Sequence, residues 1–193
     1  MKHMAQWDQE LGLDYDYKDW EACWQNMRKC SVSLSVRETA VKLFTRWYLT
    51  PLRLSKIFPQ SSPLCFRGCP HQGSFLHLFW ERAKLRSTWE EVLVLMAKLA
   101  GGSMALTHTH CLLFESIPDT PKPLMRLLHT ICVAVQWTIA LHWKSSVVPL
   151  AQIVARVDQI MLTEKIHHTL RDTMHLHDAK WSPWFLHRIM EQS

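Results

Sequence analysis

Apolar residues recur at three- and four-residue intervals along most of this chain, the repeat of α-helices buried on one face. Trp20 to Lys29 reads as one such helix, with Asp16 or Asp19 near its start. Ser35-Val36-Arg37-Glu38 fits a capping box. The helix it opens places Val36, Ala40, Leu43, Phe44 and Trp47 on one face, and Lys42 and Arg46 opposite with Thr39. Thr50-Pro51 fits an N-cap followed by proline at the first helical position, starting a short helix to about Phe58.

Pro59 to Gly73 carries no helical repeat. A helix is predicted from about Phe75, bent near Arg82 and running to Leu99, with Trp89, Val92, Leu93, Met96 and Leu99 as its stripe. Gly101-Gly102 stops it. Residues 103–120 read as a connector with one short apolar run, Cys111 to Phe114. Pro123 to Trp143 forms a long helix whose apolar face is broad enough for burial on more than one side. Pro149 to about His177 is another, and Ser182-Pro183 reads as the start of a last short one.

The pattern predicts an all-α, multi-helix array with a small irregular insertion near residue 65. Only 5 glycines in 193 residues argue against a β-protein rich in tight turns. The length suits one domain or two small ones. The expected division is 1–100, holding the irregular region at about 59–82, and 101–193, with a soft boundary at Gly101 to Pro121 and a core the halves can share. Met1 to Leu13 lacks the apolar core of a signal peptide. Ile131 to Trp143 falls short of the roughly 20 residues a membrane span needs. Six cysteines without a leader suggest a reducing compartment, nuclear or cytoplasmic, where thiols serve as metal ligands or core fillers.

Charge changes the picture. Residues 42–86 hold eight cations, Lys42, Arg46, Arg53, Lys56, Arg67, Arg82, Lys84 and Arg86, against Glu81 alone, a net +7. Residues 1–41 are net −2 and residues 87–193 are neutral. The excess therefore surrounds one window, Cys65-Phe66-Arg67-Gly68-Cys69 with His77 downstream. Two cysteines so spaced can clamp Zn²⁺ from a tight turn, which Gly68 permits. A fourth ligand is due within the next turn after His77, and the chain offers Arg82. Aromatic rings interleave with the cations, a mixture that single-strand binders use for stacking on bases and holding phosphates. Phe44 and Trp47 lie on the apolar helix face and are expected in the core, whereas Phe66 and Phe79 are the better candidates for exposed rings. Arg46, Arg53, Lys56, Arg67, Lys84 and Arg86 are the expected backbone contacts, with Arg82 able to join them.

Three runs carry a resemblance: Arg46-Trp47-Tyr48-Leu49-Thr50-Pro51, Pro63-Leu64-Cys65-Phe66-Arg67-Gly68-Cys69 and Gly73-Ser74-Phe75-Leu76-His77. Together they resemble the carboxy-terminal segment of the second-open-reading-frame polyprotein of vertebrate long interspersed elements, which are non-LTR retrotransposons. Trp20, Trp89, the triplet His142-Trp143-Lys144 and Trp181-Ser182-Pro183-Trp184 follow in the same order, so the resemblance spans nearly the whole chain. It implies a Cys-rich RNA- or single-strand-binding element that follows an endonuclease and a reverse transcriptase in the parent polyprotein. Neither catalytic domain is matched. The acids Asp14, Asp16 and Asp19 are scattered rather than paired as in a polymerase, and no glycine-rich phosphate loop is present. No enzymatic activity, membrane partner or small-molecule substrate is therefore expected.

The family's metal pattern is Cys, three residues, Cys, seven residues, His, four residues, Cys. Cys65, Cys69 and His77 match it, and Arg82 stands at the last position. Two readings stay open. Zinc is held by the three matched ligands, with His71 or water completing the set. Alternatively the turn is metal-free, and its cysteines are small apolar fillers. The functional alternatives run parallel: an RNA-binding module of retrotransposon origin, or a relic or repurposed helical interaction module. His167, His168, His175 and His177 read as a solvated helix face, and Cys132 and His142 as core. Cys23, Cys30 and Cys111 read as buried or incidental.

Overall fold

The computed structural model describes residues 2–143, 145 and 148–192, so Lys144 of the His-Trp-Lys triplet lies outside the described residues. The protein is all-α. Its helices are α1 (Lys2–Leu11), α2 (Tyr17–Lys29), α3 (Leu34–Phe44), α4 (Pro51–Ile57), α5 (Ala83–Leu99), α6 (His108–Leu113), α7 (Lys122–Leu141), α8 (Leu150–Leu170) and α9 (Met174–Gln192). A π-helical turn, His77–Glu81, precedes α5.

Local chemistry sets several of these boundaries. At α2, the Asp16 carboxylate accepts from the Lys18 and Asp19 backbone N–H groups, and the Asp19 carboxylate accepts from Asp16, a closed capping box. Thr50 caps α4 through Arg53 N–H, with Pro51 at the first helical position. Gly101, at φ +75°, turns the chain out of α5.

Other boundaries differ from the sequence reading. Helix α3 begins after Ser33, so Ser35 lies inside it and forms no capping box. It ends at Phe44, because Arg46 takes a left-handed conformation (φ +56°) with its N–H bonded to Leu43 and that of Trp47 bonded to Lys42. That reversal swings Trp47 off the apolar face, leaving it 67% exposed, and folds Arg46 inward. Thr39 is likewise buried rather than on a solvated face. The predicted single helix from Pro149 to His177 breaks at Asp172 (φ +54°) into α8 and α9. Pro183 starts no helix but lies within α9, held by Trp181 and Trp184 buried on either side of it. Helices α1 and α6 were not foreseen.

Helix α7 is the axis of the core. Residues from Leu127 to Ile139 are buried on nearly every side. By length and composition it could cross a membrane (mean hydropathy 1.5), yet 67% of that window is buried inside the molecule, as in a core helix. Helices α2 and α3 pack on it from one half of the chain, and α8 and α9 from the other. One continuous apolar cluster runs from Trp7 to Trp184. A charged tie crosses it: Lys180 Nζ donates to Glu164 at 2.9 Å and to the Cys30 carbonyl at 2.7 Å. Trp181 and Ser31 also donate to Glu164, so all the carboxylate's neighbours are donors.

Candidate metal centre

The irregular segment between α4 and the π-turn folds as a small hairpin-like loop. Leu64 pairs with Gln72, and Cys65 N–H bonds to the His71 carbonyl at 3.0 Å. Inside it Gly68, at φ +76°, donates to the Cys65 carbonyl at 3.1 Å and brings the two cysteines to the same side. Gly73 closes the loop against α4. A Cβ there would stand 2.5 Å from the Pro51 ring, so only glycine allows the approach.

The π-turn delivers His77. Arg82 N–H reaches back five residues to the His77 carbonyl at 3.2 Å, and Arg82 then leaves helical geometry (ψ 126°) before α5 begins. This is the bend expected at Arg82. It turns His77 and Arg82 toward the cysteine loop together.

Cys65, Cys69 and His77 meet there, each with one ligand atom within 4.8 Å of the others. Cys69 Sγ and His77 Nε2 are 3.1 Å apart. Donors on a tetrahedral zinc stand about 3.5–3.8 Å apart at ordinary Zn–S and Zn–N lengths, so the group fits such an ion with small adjustments. His71 does not join the group. It is exposed, with its ring stacked on His77 at 5.5 Å, beside the three gathered ligands.

The fourth side holds Arg82, buried at 5% exposure, with its guanidinium hydrogen-bonded to the Cys69 sulfur. Burial pushes the Cys65 thiol up from its ordinary value. At Cys69 burial acts the same way but is outweighed by hydrogen bonds from the Cys65 thiol, the His71 backbone N–H and Arg82, and the thiol is pulled down. Of the two thiols, Cys69 is therefore the one that ionises more readily. Burial, followed by the charges of His71, Arg82 and Arg67, holds His77 below the usual imidazole value. Its neutral ring is the form that binds metal.

The surrounding cations divide into two sets. Arg46 is buried. It pairs with Glu10 at 2.5 Å and lies over the rings of Trp7 and Phe75, 4.5 and 5.2 Å from their centroids. Arg67 donates to the carbonyls of Leu78, Ile139 and His142, tying the loop to the π-turn and capping the end of α7. With Arg82 on Cys69, three of the seven expected nucleic-acid contacts thus face inward, Arg46 onto a carboxylate and two rings, Arg67 onto backbone carbonyls and Arg82 onto a thiol sulfur. Arg53 is exposed, though one of its nitrogens holds the carbonyls of Arg46 and Trp47. Lys56, Lys84 and Arg86 are exposed.

Phe66 is 41% exposed and leans on Trp143 at 6.2 Å. Phe79, expected as an exposed ring, is fully buried and stacks on Phe75 at 4.5 Å. Sequence reasoning missed Trp7 and Glu10, which support the centre from α1. Trp7 donates to the Phe44 carbonyl at 2.9 Å and meets Phe75 edge-on. The spacing of Met4, Trp7 and Leu11 was the available signal. No protein-family model matches the chain.

Proposed function

We propose that this chain is a single-stranded nucleic-acid-binding module, with RNA its expected ligand. In this reading it descends from the carboxy-terminal segment of a long-interspersed-element polyprotein and has no catalytic role of its own. The observation that carries the reading is the assembled donor group. Residues at the spacing the resemblance names gather within 4.8 Å, and the chain on both sides folds to support them. A zinc ion there would cross-link the loop to the π-turn through Cys65, Cys69 and His77. Arg82 stands at the fourth position beside Cys69, and the loop's own hydrogen bonds, Cys65 N–H to the His71 carbonyl and Gly68 N–H to the Cys65 carbonyl, hold its shape without full coordination.

The exposed cations supply the electrostatics. Lys84 and Arg86 sit in the first turn of α5, which holds no acid, and the positive end of the helix adds to their field. Filter binding to single-stranded RNA at two salt concentrations tests the reading. Affinity should fall steeply as salt rises, and an absence of salt-sensitive binding would overturn it. Metal analysis tests the centre separately. Arg82→Cys should gain about one equivalent of zinc over the parent.

One observation favours a second reading, that of a relic or repurposed helical interaction module. Arg46, Arg67 and Arg82 spend their charge internally. On that reading RNA binding is absent and the fold is unchanged.

A further inference from the structure

Two grooves adjoin at the C-terminal end of α3, the first reaching Ser74 and Phe75 where the chain leaves the cysteine loop. The first lies between α1 and α4, holds about 600 Å³ and is walled by Lys2, Arg46, Tyr48, Arg53 and Lys56. Its one acid, Glu10, is bound to Arg46. Among the described residues no carboxylate pairs with Lys2, Arg53 or Lys56, so the groove keeps an uncompensated positive charge. The second lies between α2 and α3 and holds about 540 Å³. Met27, Leu34 and Val41 line it with the indoles of Trp24 and Trp47, and Arg28 and Arg37 also border it. Thr45 lines both grooves. The left-handed turn at Arg46 creates this arrangement, since it ends α3 and turns Trp47 outward to 67% exposure.

We infer that a single-stranded polynucleotide crosses this corner, its phosphates in the α1–α4 groove and its bases in the α2–α3 groove. The inference rests on the nucleic-acid reading above but takes the strand off the cysteine loop. Charge complementarity selects the occupant. The first groove offers cations and hydroxyl groups and asks for repeated anions. The second offers flat indole surface rimmed by the guanidinium groups of Arg28 and Arg37 and by the Glu38–Lys42 ion pair, and asks for flat, polar-edged rings within reach of those anions. A polynucleotide carries both on one backbone. An acidic helix would bring aliphatic side chains to an indole surface, and a bilayer has no protrusion to fill a cleft.

The test uses the full chain and a fluorescein-labelled oligouridine, with anisotropy read at two potassium chloride concentrations. The charge variant Lys2→Glu/Lys56→Glu should weaken binding about tenfold or more and flatten its salt dependence. Trp47→Ala should weaken it about fivefold or more with the salt dependence unchanged, because stacking releases no counterions. Lys84→Glu/Arg86→Glu, in the first turn of α5, should weaken binding less than Lys2→Glu/Lys56→Glu does, because those cations add only to the general field. Both α3-corner variants alter exposed side chains, and unchanged circular dichroism would verify their fold. Loss of binding in the Lys84/Arg86 variant alone would overturn the inference and leave the nucleic-acid reading standing. No binding by the parent would end both. Displacement of the RNA by polyglutamate as effectively as by unlabelled RNA would overturn the inference in favour of an acidic peptide. Capture on phosphatidylserine vesicles, lost in Trp47→Ala, by a chain that ignores RNA would overturn it in favour of a lipid surface.

Discussion

His129 is nearly sealed within α7, and its Nε2–H donates to the Glu115 carbonyl at 3.1 Å. Burial pushes its pKa from 6.5 down to about 4, against the opposing pull of that carbonyl. The sign follows from linkage. The unfolded chain takes up a proton near pH 6.5, while the folded chain resists until about pH 4. The contribution to stability is therefore whole above pH 6.5 and is lost as pH falls through about 4. It amounts to roughly 3 kcal/mol, an order-of-magnitude figure. A urea series across that interval should show the midpoint falling with acidity, and His129→Gln, which keeps a donor without titrating, should flatten the slope. An unchanged slope would place the acid sensitivity elsewhere. Gly73 makes a second residue-scale prediction. Its alanine variant must push the Pro51 ring, which cannot swing aside, and should lose about 1–3 kcal/mol in the same assay. Neither constraint was legible in sequence, because each depends on what a distant element places beside the residue. The spacing of Cys65, Cys69 and His77 was legible because a local loop and one turn suffice to gather them. The hydrogen bond from Arg82 to Cys69 was not, since a missing ligand gives no sign of what its replacement will do.

Among the elements, those whose ends are fixed by neighbours in sequence were readable. Asp16 with Asp19, Thr50 with Pro51 and Gly101 each settle their own boundary by a hydrogen bond or a backbone angle. Where tertiary contacts decide, the pattern misleads. The apolar spacing continues through Trp47, but α3 stops earlier because Arg46 gains Glu10 and two aromatic faces by turning inward. Proline 183 suggests a boundary, but the buried indoles on either side hold α9 continuous, and the Ser182 hydroxyl bonds to the Asp178 carbonyl. The junction of α8 and α9 depends on the Glu164–Lys180 tie, buried on both sides. Removing one partner strands a charge away from water, so Lys180→Met should cost about 3–5 kcal/mol. The double variant Glu164→Leu/Lys180→Met should recover much of that loss, because the desolvation of both charges disappears with them. Denaturant unfolding of the singles and the double, read as a mutant cycle, checks this. Additive losses would mean that the two side chains stabilise the junction independently of each other.

For the whole molecule, the division at residues 101–121 predicts either two units or one, and α7 decides how the halves are coupled. It is buried by α2 and α3 on one side and by α8 and α9 on the other. Thr130, inside it, donates to the Cys30 carbonyl, and Thr88 on α5 donates to Val148 just before α8. The cysteine loop joins the same unit through Arg67, whose acceptors Ile139 and His142 lie at the end of α7. Neither half can close its apolar surface without that helix. Unfolding should therefore be a single transition, with signals from both ends of the chain coinciding. Ending the chain after Asp172 provides the stringent version. It removes Trp181 and Trp184, both buried against the rest of the molecule, and leaves Glu164 without its lysine. Hydrogen exchange should then lose protection not only in α8 but also in the π-turn and, more than a hundred residues upstream, in α2 and α3. Protection retained in α2 and α3 would show that the first half folds alone and that α7 merely docks on it.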